Sequence, residues 1–293
     1  MKKILILGGS GFIGQNLIEF FSQSQSSNHY EVFAPSHKEL ELLDTEAVKI
    51  FFSKNHFDVV IYAVNYGDYR IDNPLQETLK KNLMMFFNVI ENKSHFDNMI
   101  FLGSGAEYDK FVDVKNVKET DFGKHIPHDD YGLHKYICTK YIEQSEDIIA
   151  LIPFGVFGKY DYSKRFIPNT IFKIMLDVPV TINQNTLFDF VYADDLCKII
   201  EYFVNHKSKH KIYNVGSSKH IDILSVAKII KNVSGKEFDI LVNKEGFNIE
   251  YTCDNQLLRA ELTGFEFTEM EKAIKELYLW YEKNKDKISR DLQ

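Results

Sequence analysis

"ILILGGSGFIGQNLIEFF", residues 4–21, carries three signals in one line. The branched, apolar run from Ile4 to Leu7 reads as a short buried strand. Gly8, Gly11 and Gly14 follow in a GxxGxxG register. From Phe12 onward the apolar residues recur at helical spacing. Glycines between a strand and a helix allow a sharp turn, a close backbone approach to a pyrophosphate and tight helix–strand packing. Free N–H groups and the positive end of the helix dipole then face the phosphates. A bare glycine triplet also suits an ordinary tight turn, but the strand–turn–helix setting favours a dinucleotide. On that reading Gly8, Ser10, Gly11, Phe12, Ile13 and Gly14 bind the cofactor.

Working outward, strand and helix patterns alternate. "YEVFAP" (30–35) is a strand stopped by Pro35, and "TEAVKIFFSKN" (45–55) a helix capped at Asp44 or Thr45. "DVVIYAV" (58–64), "NMIFLGS" (98–104) and "IIALIPF" (148–154) are further strands, separated by helices at 75–92 and 129–145. This order predicts an α/β, Rossmann-type, doubly wound parallel sheet with helices on both faces. Beyond residue 156 the rhythm loosens. Helices are expected at 165–176, 222–235 (ending at Gly235) and 268–285, with a strand and then a helix across 188–205 and a strand at 210–216. The division this suggests is a dinucleotide domain of residues 1–156 and 187–215. A smaller, discontinuous α/β substrate lobe takes 157–186 and 216–293. "SQSQSSN" (22–28) reads as a surface loop.

Composition sets bounds. With 293 residues, 44% hydrophobic, the chain can bury a core without disulfides. Its 3 cysteines (Cys138, Cys197, Cys253) show no metal-binding spacing and imply a reducing compartment. The net charge of −7 argues against an extended nucleic-acid surface, not against a small anion held by backbone dipoles. "MKKILILGG" lacks the long apolar core of a signal peptide, and no stretch approaches a membrane span. A cytoplasmic protein is expected.

"DDYGLHKYICTKYIE" (129–143) places Tyr131 four residues before Lys135, on one helix face. Tyr136/Lys140, Tyr160/Lys164 and Tyr281/Lys285 share that spacing, so spacing alone selects nothing. Ser104 ends the fourth strand, where ligands bind in open α/β sheets. Glycine loop, strand-four serine, Tyr131 and Lys135 then follow in order. With "GGSGFIG", "LGSGAEY", "YGLHK" and "FDFVYADDL", the chain resembles the extended short-chain dehydrogenases/reductases, the NAD(P)-dependent sugar epimerase/dehydratase family. The resemblance runs from residue 1 to about 290 and singles out Tyr131/Lys135.

The resemblance implies roles. Tyr131 is the general acid/base; a cation beside a phenol favours its ionised form. Ser104 holds the substrate oxygen, and Lys135 also holds the nicotinamide ribose. Asn82 matches an asparagine of the helix after strand three. Glu41, Leu42, Ala63, Phe154 and Val156 are further positions expected to bind the cofactor. The second strand ends in Ser36, His37 and Lys38 with no Asp or Glu, which suits a 2′-phosphate; NADP(H) is favoured, with NAD(H) as the alternative. Asn65 and Tyr66, Asn169, and Arg165 or Arg259 are the candidate substrate contacts. The two arginines are considered because Ile152 and Phe188 stand where several family members carry arginine.

Subgroup features narrow the chemistry. Dehydratases of the family carry Thr-Asp-Glu where this chain has Ser104-Gly105-Ala106. Glu107, next door, is expected on the opposite strand face. Several stretches look most like the GDP-fucose synthases. Their epimerising cysteine and histidine would fall at Ala106 and near Arg165. What remains implies reduction of a nucleotide-linked 4-keto (6-deoxy) sugar. A 4-epimerase with tightly bound NAD is the alternative enzyme. A non-catalytic dinucleotide-sensing scaffold is the alternative of another class. Family members pair through helices like 75–92 and 129–145, which implies a homodimer. Asp194 and Asp195 suggest a metal pair, but adjacent strand residues diverge in direction, and Asp195 before a helix is read as its cap.

Overall fold

The computed structural model describes residues 1–23, 29–67 and 77–284. Six parallel strands form the main sheet. In chain order these are β1 (Lys2–Leu7), β2 (Tyr30–Phe33), β3 (Phe57–Tyr62), β4 (Phe96–Leu102), β5 (Ile148–Pro153) and β6 (Ile212–Val215). Their spatial order is β6-β5-β4-β3-β1-β2. The chain leaves β1 for β2 on one side and returns to β3 on the other. The carboxyl ends of β1 and β3 therefore flank a crevice, the usual ligand site of an open α/β sheet.

Both faces of this sheet are covered, so its strands are apolar runs instead of alternating ones. Leu5 and Leu7 of β1 face one core with Met99 and Phe101 of β4. Ile4 and Ile6 face the other with Ile100 and Leu102. Helices α1 (Phe12–Gln23), α2 (Thr45–Ser53), α3 (Thr78–Ile90), α4 (Asp130–Glu143) and α5 (Ala193–Asn205) supply the covering layers. Each fully buried aliphatic or Phe side chain adds about 1.5–3 kcal/mol. The expected caps are present: Asp44 accepts from Ala47 N at 3.0 Å, and Gly235 ends its helix at φ 65°.

A third core lies between helices Phe166–Met175, Ile223–Ser234 and Met270–Lys283. Above it sit two small sheets, Val180–Asn185 with Ile240–Phe247, and a four-stranded one that pairs Tyr251–Cys253 with Val114–Val117. Helix Gln256–Glu261 instead packs on the main sheet, where Glu261 accepts from Tyr213 Oη at 3.0 Å. The strands of these small sheets escape periodicity because they are short or largely exposed. The surface loop expected at 22–28 falls largely outside the described residues, as do the start of the helix expected at 75–92 and Lys285.

Asp195 does not cap its own helix. It accepts from Thr268 N and Oγ1 at 2.7 and 2.8 Å, tying α5 to the turn before the last helix. Among the described residues no acidic, His or Cys cluster could hold a metal, and no helix is long and apolar enough to cross a membrane.

Candidate active site

The glycine loop is built by backbone contact. Gly8 adopts φ +88°, and a Cβ there would sit 2.7 Å from the Ala63 carbonyl oxygen at the end of β3. A Cβ on Gly14 would run into the Gly8 carbonyl. Gly11 N donates to Gly8 O at 3.0 Å, and α1 begins at once. This cradle, closed to any side chain and opening on a helix N-terminus, fits a dinucleotide pyrophosphate. It forms one wall of a cleft of about 860 Å³. Gly8, Ser10, Gly11, Phe12, Ile13, His37, Leu42, Ala63, Asn65, Ser104, Tyr131, Lys135, Val156 and Arg165 all line that cleft.

At the end of β2 the sequence reading needs a correction. The end of the strand has no acid, but Glu39 folds back and accepts from both Ser36 N and Ser36 Oγ at 2.8 Å. These bonds lower the Glu39 pKa. His37 pairs with Glu41 at 3.2 Å. Of this stretch His37, Leu40 and Leu42 reach the cleft wall, whereas Ser36, Lys38 and Glu41 stand outside it.

Asp129 caps α4 by accepting from Gly132 N at 3.1 Å. Gly132 lets the helix start press on the 105–108 turn; a Cβ there would lie 2.7 Å from Ala106 O. Tyr131 and Lys135 then project one helical turn apart into the cleft. The buried Lys135 donates Nζ–H to Leu102 O at 2.7 Å and Val64 O at 3.4 Å, so it grips the ends of β4 and β3. Burial lowers its pKa to about 8, against the pull of Cys138 and Glu107. His134 packs edge-on to the Tyr131 ring at 5.5 Å, and burial holds its pKa well below the usual value.

β4 stops at Leu102, and residues 105–108 form one turn of 3₁₀ helix. Ser104 caps it: its Oγ accepts from Ala106 N at 3.2 Å, which leaves the hydroxyl proton for an oxygen in the cleft. Glu107 is therefore not on the far face of a strand. It turns back beneath Ser104, fully buried, and its Oε1 accepts from Ser104 N at 2.8 Å. The pattern Ser-x-x-Glu is a capping box, a signal legible in the sequence.

Other candidates lie elsewhere. Asn82 accepts from Tyr66 N at 2.8 Å and donates to Tyr66 O at 2.9 Å, fixing the segment after β3. Tyr66 is held outside the cleft wall, its hydroxyl accepting from Lys81 at 3.0 Å. Phe154 packs against Tyr251, and Asn169 lies on helix Phe166–Met175 away from the wall. Arg259 donates to Asn255 Oδ1 and Ser217 O, at 3.1 and 3.4 Å, outside the cleft. Arg165 does reach it, with Nη1 on Asp161 Oδ1 at 3.0 Å.

The wall opposite the glycine loop was not foreseen. Phe188 stacks on Phe190 at 5.3 Å and lies 5.5 Å from Tyr251. Lys110, the 61%-exposed Phe111 and Glu250 complete this side. Lys110 pairs with Asp129 at 3.1 Å, and Glu250 accepts from Thr252 Oγ1 at 2.5 Å.

A parallel sheet with a glycine cradle at its switch point, facing a Ser/Tyr/Lys set, defines a dinucleotide-dependent enzyme. The chain belongs to the NAD dependent epimerase/dehydratase family, whose pattern matches residues 4–216. It is 26% identical to the GDP-L-colitose synthase of Yersinia pseudotuberculosis, over 83% of this chain and 85% of that protein. Its fold is similar to that of the NADP-bound GDP-L-fucose synthetase from Naegleria fowleri (TM-score 0.81, 19% identity, 97% of this chain and 94% of that one). It is also similar to the NADP-bound GDP-mannoheptose C4 reductase from Campylobacter jejuni (TM-score 0.78, 21% identity, 96% and 98%).

Proposed function

We propose that the protein reduces the 4-keto group of a nucleotide-linked (6-deoxy) sugar with NADP(H). The observation that carries this reading is the company Ser104, Tyr131 and Lys135 keep. They share one cleft with the glycine cradle, while Gly105 and Ala106 offer no acid. Among the described residues no cysteine lines the cleft, and its histidine is His37, in the loop after β2. The agents for elimination or for 3,5-epimerisation seen in relatives are thus missing at the matched positions.

The residues divide the work. Gly8–Ile13 and the end of β2 hold the dinucleotide, and Lys135 holds its ribose. When bound, the reduced nicotinamide supplies hydride to the carbonyl carbon. Ser104 Oγ–H bonds the carbonyl oxygen. Tyr131 gives its proton to that oxygen as negative charge develops. The Lys135 ammonium stabilises the phenolate left behind. Arg165 and Lys110 are the cations on the cleft wall for the substrate's phosphates.

The relatives' printed activities support a nucleotide-sugar substrate. One observation favours the 4-epimerase reading with bound NAD: the Glu39 carboxylate at Ser36 disfavours a 2′-phosphate there. The test is NADPH and NADH absorbance over a panel of nucleotide-linked 4-keto sugars. Oxidation of either with one sugar supports the reductase. A flat trace across the panel, together with NAD carried through purification, supports the epimerase. Helices α3 and α4 leave Met84 and Tyr141 about 40% and 38% exposed, with Tyr141 against Phe87 at 5.6 Å. This apolar face supports a homodimer; light scattering should give twice the chain mass, and Tyr141→Asp should halve it.

A further inference from the structure

The turn behind Ser104 holds an ionisable group, Glu107, that the reaction as derived does not use. Glu107 is 0% exposed. Its Oε1 is committed to Ser104 N at 2.8 Å, whereas its Oε2 is buried with no hydrogen-bond partner among the described residues. Thr139 Oγ1, from α4, lies beside the carboxyl as a weak donor that falls short of a full hydrogen bond. The glycine at 103 makes room, since a Cβ there would strike Glu107 Oε1. One turn of α4 before Thr139 stands Lys135. A buried carboxyl with a spare oxygen, packed against the helix that carries a buried ammonium, is unfavourable unless the two charges compensate.

We propose that Glu107 is a positioning residue: its carboxyl fixes the backbone of Ser104 and serves as the buried counter-charge of Lys135. The inference rests on the catalytic reading of Ser104 and Lys135. Electrostatics agree in sign. Burial raises the Glu107 pKa to about 7, Thr139, Ser104 and Lys135 acting against it. Burial lowers Lys135, and Cys138 and then Glu107 oppose that fall. The other groups facing the pair do not exchange its charge near neutrality. Cys138 and Tyr108 are pushed up by burial, Tyr62 beyond Cys138 likewise, and His134 is pushed down. The carboxyl thus keeps the lysine protonated to higher pH than burial alone would allow.

The experiment follows the Lys135 Nζ resonance in ¹⁵N-lysine-labelled full-length protein from pH 6 to 10, assigned with Lys135→Met. Glu107→Gln keeps an oxygen for Ser104 N and removes the charge. The Lys135 midpoint should fall by about 1 pH unit or more. An unchanged midpoint in a folded variant would overturn the proposal. Should Glu107→Gln fail to fold, the reciprocal measurement decides. In Lys135→Met the Glu107 carboxyl ¹³C midpoint should rise, and no rise overturns the idea. Where a turned-over sugar is in hand, the alkaline limb of kcat/KM should move to lower pH in Glu107→Gln. A purely structural role for Glu107 would not move it. Neither titration needs a substrate, so a failed sugar panel strikes the reductase reading and leaves this result interpretable.

Discussion

The two walls of the cleft are built differently. The cofactor wall is backbone: a turn at Gly8–Gly14 pressed against the carbonyl of Ala63. The substrate wall is side chain: Phe111, Phe188, Phe190 and Tyr251, from segments up to 140 residues apart in number (111 to 251). A backbone wall tolerates almost no substitution and serves any ligand with the same phosphates. A side-chain wall can be changed residue by residue and sets which substrate enters. Under the proposed function, recognition of the common cofactor and of the particular substrate are thus separable in this molecule.

The sharpest way to break that comparison is at the cradle. Gly14→Val drives a branched side chain into the Gly8 carbonyl. Overpacking of this kind costs about 1–3 kcal/mol or more. Dinucleotide affinity should drop by at least ~100-fold, which is about 2.7 kcal/mol. Fluorescence titration with NADPH and NADH measures it, alongside a melting curve. Equal loss for both cofactors is expected, because the pyrophosphate is common to both. Retained tight binding would remove the cradle from the cofactor site.

Tyr131→Phe separates the walls from the chemistry between them. It deletes a proton donor and little volume, so kcat should fall by about 10²–10⁴-fold. Dinucleotide affinity should stay within about 3-fold, under ~0.7 kcal/mol. Unchanged turnover would end the acid/base assignment. Loss of cofactor binding as well would show that the phenol is part of the cradle. A wild type that binds dinucleotide and turns nothing over would favour a sensor on the same fold.

The substrate wall should answer more mildly and in a different parameter. Phe111 is 61% exposed and its ring lies 5.5 Å from Lys110 Nζ. Phe111→Ala removes contact area without opening the core. KM should rise about 5–10-fold with kcat nearly unchanged. The melting temperature should stay within about 2 °C, as for other exposed sites. A kcat effect instead would place Phe111 in orienting the carbonyl.

The same contrast explains what the sequence disclosed. Backbone constraints leave glycines, and a glycine triplet after Ile4–Leu7 can be read directly. Tyr131 became legible only with Ser104, because three other Tyr/Lys pairs share its spacing. Glu107 was misplaced because the strand was extended past Leu102; Ser104 and Glu107 form a capping box that ends it. In the sequence Phe188 stands out only as a missing arginine. Its place against Phe190 and Tyr251 depends on pairing between Leu187–Phe188 and Tyr251–Cys253, which no local period announces. Arg259 had the right chemistry for a phosphate, but tertiary structure spends it on Asn255 and Ser217.

The smallest effect lies at the seam between the walls, in the loop after β2. There the sequence offers Ser36, His37 and Lys38 to a 2′-phosphate, while the folded chain sets the Glu39 carboxylate on both donors of Ser36. A second anion at those donors must displace the first or be repelled by it. Glu39→Gln keeps an acceptor for Ser36 and removes the charge. Preference should therefore move toward NADPH, by about 3–10-fold in the ratio of the two Kd values. The site is open to solvent, so the shift should shrink as ionic strength rises past ~0.15 M. A change in the NADH affinity alone would mean that Glu39 holds the ribose hydroxyls directly. No change in either would make Ser36–Glu39 an ordinary turn, and cofactor choice would then rest with His37 and the neighbouring Glu41.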